Sequence, residues 1–255
     1  MSRLVDSVLV PVMGTIVGFG SPDPLPAAAV EEATRVLREA DRVFSTWDPD
    51  SPVSRWRSGR VRLDQLDPDA ADQIHEVLGR CALARHLTRG AFDPWAMPGG
   101  VDPTGLVKGW AAERALRTLE RGGANNVIVN AGGDIVVAGT CAGSAWRVGV
   151  RHPFEHEALT AVVDVAAAIA TSGDYERPEQ LIDPASGRSS SAVASATVIG
   201  PHLDLADALA TGLAVAGPSL LPAVDELPGY EAYLICKQRR HYATPGMTWA
   251  TELAA

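Results

Sequence analysis

This sequence has few cysteines and few aromatic residues, and its charge has no positive excess. Its three cysteines (Cys81, Cys141 and Cys236) stand too far apart in 255 residues for a short-range metal motif. An odd, low count is typical of thiols kept reduced. The 22 Lys and Arg residues are outnumbered by 31 Asp and Glu, so the net charge is -9. This balance argues against a nucleic-acid partner, which needs a broad basic face, but not against one small phosphorylated ligand.

Long apolar runs are missing as well. The N-terminal run SVLVPVM is short, follows Asp6 and contains Pro11, so it lacks the form of a signal peptide or lipoprotein signal. No run reaches the length that spans a membrane. We therefore expect a soluble, cytoplasmic protein without stable membrane insertion. The absence of repeats and linkers predicts a single domain over residues 1–255.

Hydrophobic spacing predicts a chain of interleaved strands and helices. The N-terminal strand is expected over residues 7–20, with a break at Met13-Gly14. Asp67 and Pro68 have the residue types that favour a helix start. Gly217 and Pro218 are typical of a helix end. The predicted helices cover residues 24–44, 67–87, 107–121 and 205–216, and a hairpin across residues 238–240 closes the chain.

Residues 101–134 form the stretch around which the rest is organised. A polar turn leads into the third predicted helix, and a strand follows that ends in the turn AGGD, which carries Asp134. Lys108 is predicted in the first helical turn, where the helix dipole disfavours a cation. A bound anion would reverse that preference, whereas the simpler interpretation is a solvated lysine. The two loops are typical of a place where backbone amides, a lysine and a carboxylate meet a phosphorylated ligand.

Two loops rich in Ser, Asp, Gly and Pro carry unusual aromatic residues. Trp47 and Trp56 lie in the first, and two interpretations stay open: both cover an edge of the core, or Trp47 stacks on a planar ring. Phe92 and Asp93 lie side by side in the second loop, a setting that favours ligand binding over packing. His75 and His86 fall off the apolar face of their helix, so we expect them in solvent.

The last predicted helix carries Asp207 and Thr211, four residues apart and therefore on one face. A carboxylate and a hydroxyl are the hard oxygen ligands that Mg2+ prefers. The alternative is a polar stripe on a surface helix.

Several motifs occur in order along nearly the whole chain: MGT, FSTWDPDSPVSR, GAFD, VDPTGLVKGW, NAGGD, AIATSGDYER, LIDPASG and DALAT. Together they resemble the ApbE family of FAD:protein FMN transferases. The resemblance implies an α+β fold, T-fold-like, with mixed or antiparallel sheets and packed helices. It also implies a Mg2+-dependent enzyme that splits FAD, attaches FMN through a phosphoester bond to a threonine of an acceptor protein, and releases AMP.

Matched position by position, the resemblance implies a site. The metal ligands would be the Gly105 carbonyl, Asp207 and Thr211, with Asp207 also catalytic. Trp47 stands where the family usually has tyrosine, which keeps a stacking face but loses the phenol. The residues implied in flavin nucleotide binding are Met13, Trp47, Ala91, Phe92, Asp93, Asp102, Lys108 and Leu181.

The sequence departs from the family at one catalytic position. Gln180 stands where members usually carry histidine. Glutamine can orient a hydroxyl but cannot accept its proton, so transfer is expected to be slow unless another group serves as the base, with Glu179 and Asp174 the conceivable substitutes. Two alternatives to the transferase therefore stay open: a Mg2+-dependent FAD hydrolase that yields FMN and AMP, and a catalytically impaired FAD-binding protein.

Overall fold

The structure is a computed structural model that describes residues 4–97, 99–155, 157–173, 181–189 and 192–252. The described residues form six α-helices and thirteen strands. The helices are α1 (Ala27–Phe44), α2 (Pro52–Arg57), α3 (Pro68–Leu87), α4 (Thr104–Arg121), α5 (Leu203–Ala216) and α6 (Leu221–Asp225). The strands are β1 (Asp6–Val12), β2 (Thr15–Ser21), β3 (Val127–Ala131), β4 (Asp134–Ala138), β5 (Trp146–Arg151), β6 (Leu159–Val165), β7 (Ala168–Gly173), β8 (Ile182–Asp183), β9 (Arg188–Ser189), β10 (Val193–Gly200), β11 (Glu231–Cys236), β12 (His241–Ala243) and β13 (Thr251–Glu252).

An eight-stranded sheet in the order β1-β2-β3-β4-β7-β10-β11-β12 forms the centre of the fold. A second sheet has the order β13-β6-β5, and β8 pairs with β9. Each of these strand pairs is antiparallel. The predicted α+β fold is confirmed, and of the two sheet types that the resemblance allowed, the antiparallel one is found.

The central sheet buries apolar residues on both faces. Along β4, Val136 faces the helices, whereas Ile135 and Val137 face the three-stranded sheet. This alternation follows from the two-residue period of a strand. Helices α1, α3, α4 and α5 therefore cover one face, and β5 and β6 cover the other.

Most predicted elements are confirmed, with shifted ends. Helix α3 begins as expected, because the Asp67 side chain accepts hydrogen bonds from the amides of Asp69 and Ala70. The loop that holds both tryptophans contains α2, which was not predicted. Helix α4 begins at Thr104, three residues before its predicted start, so Lys108 is in the second turn. The helix dipole acts mainly on the first turn, so it does not disfavour a cation at Lys108 as expected from the sequence.

Helix α5 and the residues after it are more apolar than expected. The segment Leu203–Asp225 is long and apolar enough to cross a membrane by length and composition, contrary to the expectation that no run reaches that length. Of its most apolar window, 56% is buried inside the protein. A helix that packs against α4 on one side and the sheet on the other needs apolar residues around most of its circumference. The alternative of a surface helix is therefore wrong.

Helices α4 and α5 approach each other closely at Gly109. A Cβ atom at this position would lie 2.8 Å from the Leu203 carbonyl oxygen and 2.9 Å from the Asp204 Cα. One helical turn further along α4, Glu113 Oε2 accepts a hydrogen bond from the Leu203 amide (3.2 Å). A carboxylate of α4 thus caps the start of α5, which satisfies an amide that has no partner within its own helix.

We expect Gly109→Ala to lower the free energy of unfolding by about 1–3 kcal/mol, because the new methyl group meets backbone atoms and α5 must move. Gly79→Ala is the matched control, since Gly79 lies at an exposed position of α3 with no atom within 4 Å of the added Cβ. The control should raise stability by about 0.5–1 kcal/mol. Urea unfolding checks both, and equal midpoints for the two variants would contradict the close approach.

Candidate active site

Lys108 is the point at which α4, β4 and α5 meet. Its Nζ atom contacts Asp134 Oδ2, at the start of β4, in a hydrogen-bonded ion pair. The same Nζ lies 3.8 Å from Asp207 Oδ2 on α5. The prediction that a lysine and the carboxylate of the AGGD turn meet is confirmed, and the predicted metal ligand Asp207 lies beside them.

Asp134 is held rigidly by its surroundings. Its side chain is 2% exposed, and Oδ1 accepts a hydrogen bond from the Thr171 amide on β7 (3.0 Å). The turn before it has two glycines with positive φ, Gly132 at 64° and Gly133 at 108°. Asn130 Oδ1 accepts from the Gly133 amide (2.8 Å). The glycine turn is therefore a structural requirement for directing Asp134 at Lys108.

Asp207 combines deep burial with an unsatisfied oxygen. The residue is 5% exposed, and its Oδ2 atom has no hydrogen-bond partner among the described residues. Burial raises the pKa of this carboxyl well above its usual value; Lys108 opposes the shift, and the nearby charges of Asp134 and Asp204 add to it. A buried carboxylate oxygen without a partner is costly, so it fits a ligand position for a divalent cation.

The other two predicted metal ligands lie on the same pair of helices. Thr211 is one turn after Asp207, and its hydroxyl is 3.1 Å from the Ser172 hydroxyl on β7. Gly105 lies one turn before Gly109, on the part of α4 that approaches α5. These hard oxygen donors fit Mg2+. Within the described ranges, no group of three or more His, Cys, Asp or Glu side chains could hold a metal ion, so a cation held by described residues alone would also need hydroxyl or carbonyl oxygens.

The predicted nucleotide-binding residues at positions 91–93 pack beside the start of α4. The Phe92 ring covers Gly105, where an added Cβ would lie 3.2 Å from Phe92 Cε2. Asp93 accepts from Arg85 Nε (2.5 Å) and from the Trp95 amide (3.0 Å). Ala91 is partly buried against the main core. Phe92 is 6% exposed and belongs to the main core, so the expectation that its setting favours ligand binding over packing is wrong for this side chain. The loop is braced internally, and Phe92 lies close to a predicted metal ligand.

Asp102 connects this loop to α4. Its amide donates to the Pro94 carbonyl (2.9 Å). Its Oδ1 atom accepts from the amide and the hydroxyl of Thr104, at 3.0 and 2.6 Å. A carboxylate at the start of a helix is favourable to the helix dipole. Asp102 therefore orders the start of α4, a role that is compatible with the predicted contact to a nucleotide but does not test it.

Met13 lies in the two-residue turn between β1 and β2. Both Met13 and Gly14 have positive φ, 53° and 67°. That conformation suits a hairpin but is strained for a methionine. The hairpin end lies next to the AGGD turn, because a Cβ at Gly132 would lie 2.6 Å from Thr15 Oγ1. The fold thus brings a strained residue of the predicted site to the turn that carries Asp134.

Trp47 is 94% exposed, so the interpretation that it covers a core edge is wrong. That interpretation holds for Trp56, which is partly buried against the main core. Stacking of Trp47 on a ring stays a prediction. Leu181 is partly buried against the same core. Gln180, together with its conceivable substitutes Glu179 and Asp174, lies outside the described residues.

Sequence reasoning missed a second buried network at the start of α5. Asp204 is 1% exposed and accepts from Arg80 Nη2 on α3 (2.5 Å). Glu113 contacts Arg117 and His202 Nδ1, the latter at 3.1 Å. Arg80 and Asp204 are 124 positions apart, so no local pattern signals their pairing. The expectation that His75 and His86 lie in solvent is confirmed.

An antiparallel sheet with helices on one face, and a buried carboxylate beside a lysine at a helix junction, define an α+β protein with a charged candidate site between two helices. The model of the ApbE family matches residues 96–234, more than half of the chain. The chain belongs to the ApbE family.

Relatives with curated names agree with this assignment. The FAD:protein FMN transferase of Rhodobacter capsulatus is 34% identical over 157 residues, 58% of this chain and 30% of that protein. The protein of that name from Escherichia coli (strain K12) is 35% identical over 156 residues, 56% of this chain and 44% of that protein. The matched region thus spans less than half the length of these relatives.

Solved structures show the same fold. The ApbE protein of Thermotoga maritima superposes with a TM-score of 0.80 at 22% identity and covers 94% of this chain and 97% of that one. At this identity the likeness establishes the fold alone.

Burial raises the pKa of Asp207 to about 8, so its charge is present in the metal-free protein above that pH. At about pH 9, Asp207→Asn should therefore stabilise the metal-free protein by about 1 kcal/mol, or about 2–4 °C in Tm, because it removes a buried charge with an unpaired oxygen. The same variant should lose the rise in Tm that Mg2+ produces in the unmodified protein. Differential scanning calorimetry with EDTA and with MgCl2 measures both effects.

Asp204→Asn is the control on the same helix. Asp204 is equally buried but paired, so its neutralisation should cost about 2–4 kcal/mol, less than for a fully buried pair because Arg80 is partly exposed. A lower Tm for both metal-free variants would show that Asp207 is satisfied in the folded protein.

Proposed function

We propose that the protein is a FAD:protein FMN transferase that uses Mg2+. The observation that carries the proposal is the buried, unpartnered oxygen of Asp207 beside Lys108. Both residues lie in motifs of a family whose curated relatives bear this name. Such a junction suits chemistry on a pyrophosphate, in which negative charge grows on the bridging and leaving oxygens.

The reaction exchanges one phosphate bond for another. The threonine oxygen of the acceptor protein forms a bond to the phosphorus of the FMN half of FAD. The bond from that phosphorus to the bridging oxygen breaks, AMP leaves with that oxygen, and the hydroxyl proton passes to a base. Mg2+, held by the Gly105 carbonyl, Asp207 and Thr211, would supply Lewis-acid stabilisation of the phosphate oxygens.

The protein groups then have distinct tasks. Lys108 offers a positive charge at the pyrophosphate, beside the metal ligands. Phe92 packs next to Gly105, Ala91 and Asp93 flank it in a braced loop, and Asp102 orders the start of α4. Trp47, fully open to solvent, offers a stacking face for the flavin ring without the cost of uncovering it first.

Proton removal is the step for which the chain departs from its family. Gln180 can orient the acceptor hydroxyl by a hydrogen bond but does not take up its proton. This departure favours two alternative functions: a hydrolase that releases FMN and AMP, and a protein that binds FAD without turnover. The strand that precedes Gln180 in the chain reaches the predicted metal ligand Thr211 through the Ser172 hydroxyl.

One assay separates the three functions. The protein is incubated with FAD, MgCl2 and a candidate acceptor domain, taken from an organism in which a named FAD:protein FMN transferase occurs. The release of AMP and the mass of the acceptor are then followed. Acceptor mass increased by one FMN, with AMP in equal amount, supports the transferase. AMP with free FMN and an unchanged acceptor supports the hydrolase, and bound, intact FAD supports the binding protein. EDTA should stop either reaction, and Asp207→Ala should do the same.

Gln180→His should raise the transfer rate by about 100-fold if the missing base limits the reaction, since a general base contributes about that factor or more. The increase should appear above about pH 6.5, where histidine is neutral and can accept a proton. Gln180→Asn is the control, because it keeps an amide and adds no base. An unchanged rate for Gln180→His would place the base elsewhere.

A further inference from the structure

Among the described residues, two carboxylates lie within 4 Å of the Lys108 ammonium, and they are not equivalent. Its Nζ is hydrogen-bonded to Asp134, whereas the nearer oxygen of Asp207 is 3.8 Å away, beyond hydrogen-bond distance. Position 108 carries a lysine rather than an arginine, although lysine occurs only at positions 108 and 237 among the 22 Lys and Arg residues. A lysine carries a compact charge that one carboxylate can hold, whereas an arginine fork can bind two acceptors at once.

The hydrogen bonds of Asp134 explain why Lys108 pairs with this carboxylate. Asp134 Oδ2 accepts from Lys108, and Asp134 Oδ1 accepts from the Thr171 amide. The Asp134 side chain is 2% exposed and accepts a hydrogen bond from a backbone amide, so it is held in its orientation towards Lys108. Asp207, by contrast, offers an oxygen that no described residue satisfies.

We propose that Asp134 is a positioning residue: it holds Lys108 away from Asp207, so that Asp207 Oδ2 stays open to a divalent cation. The inference rests on the proposed function, because it concerns the metal site of that function. In this role Asp134 acts through Lys108, and both of its oxygens are engaged by the protein. Its contribution is to prevent an ammonium group of the protein from occupying the position that the cation needs.

The charges of the described groups at the junction favour the same assignment. With both carboxylates ionised, Asp134, Asp207 and Lys108 carry one net negative charge, which attracts a cation. Without the charge of Asp134, Lys108 and Asp207 neutralise each other and can close their 3.8 Å separation to a hydrogen bond. Such a pair competes with an added cation, because Asp207 is buried, although solvent screens Lys108, whose side chain is 32% exposed.

The test measures metal binding directly, without turnover. Binding of Mn2+ to the metal-free protein is followed by electron paramagnetic resonance, and Mg2+ competition gives the Mg2+ affinity. Asp134→Asn should weaken binding at least tenfold. Asp134→Asn combined with Lys108→Met should restore an affinity within about threefold of the unmodified protein, because Asp207 again has no competing cation and the net charge returns to one negative. Thermal unfolding confirms that each variant is folded.

Each other outcome has a definite meaning. Equal affinity in Asp134→Asn and the unmodified protein overturns the inference. If the double variant binds as weakly as Asp134→Asn, Asp134 acts as a ligand of the metal rather than by holding Lys108, which overturns the inference as well. A failure of the unmodified protein to bind either metal rejects the proposed metal site itself, and the inference with it. The failures of the two proposals are therefore distinguishable.

A second measurement leaves Asp134 unchanged and applies if Asp134→Asn does not fold. Isotope-labelled lysine gives two side-chain NMR signals, and Lys108→Met assigns them. With Asp134 as its holder, the Lys108 ammonium should keep the same high order parameter without and with Mg2+. An increase in its mobility on addition of Mg2+ would show that Asp207 holds Lys108 in the metal-free protein, which overturns the inference.

Discussion

The close crossing of α4 and α5 is the constraint on which the candidate site depends. Gly109 lets the two backbones approach to a distance that any side chain would prevent. That approach brings Lys108 of α4 to Asp207 of α5, with Gly105 one turn before Gly109 on the same helix. The metal ligands implied by the family come from positions about 100 residues apart in the chain, and they lie on these two packed helices.

Charged groups are buried at two places along this crossing, and they differ in whether their hydrogen-bonding atoms have partners. At the start of α5, Asp204 has Arg80 as its partner, and the Leu203 amide has Glu113. Such satisfied groups stabilise the position of the helix. One turn further on, Asp207 keeps an oxygen without a partner. A fully satisfied network next to an unsatisfied carboxylate is the arrangement expected where structural precision supports a binding site.

Sequence reasoning went furthest where local physics decides the outcome. The Asp67 cap, the break at Met13-Gly14 and the helix end at Gly217 depend on residues within a few positions of each other, and all three are found. Reasoning failed where distant packing decides. The apolar pattern placed the start of α4 three residues late, because Asp102 and the loop before it extend the helix. The apolar pattern also did not decide whether Trp47 stacks on a ligand ring or covers an edge of the core, since the pattern carries no information on what lies next to a loop.

The sequence by itself determined the family, through motifs in a set order, and the residue types of the site, because metal and phosphate chemistry restrict which side chains can serve. It also placed a lysine and the AGGD carboxylate in one stretch. Only the tertiary structure decided that Lys108 pairs with Asp134 rather than Asp207, and that α5 is a core helix. The physical reason is that pairing and burial depend on distances between elements far apart in the chain, which spacing along the chain does not encode.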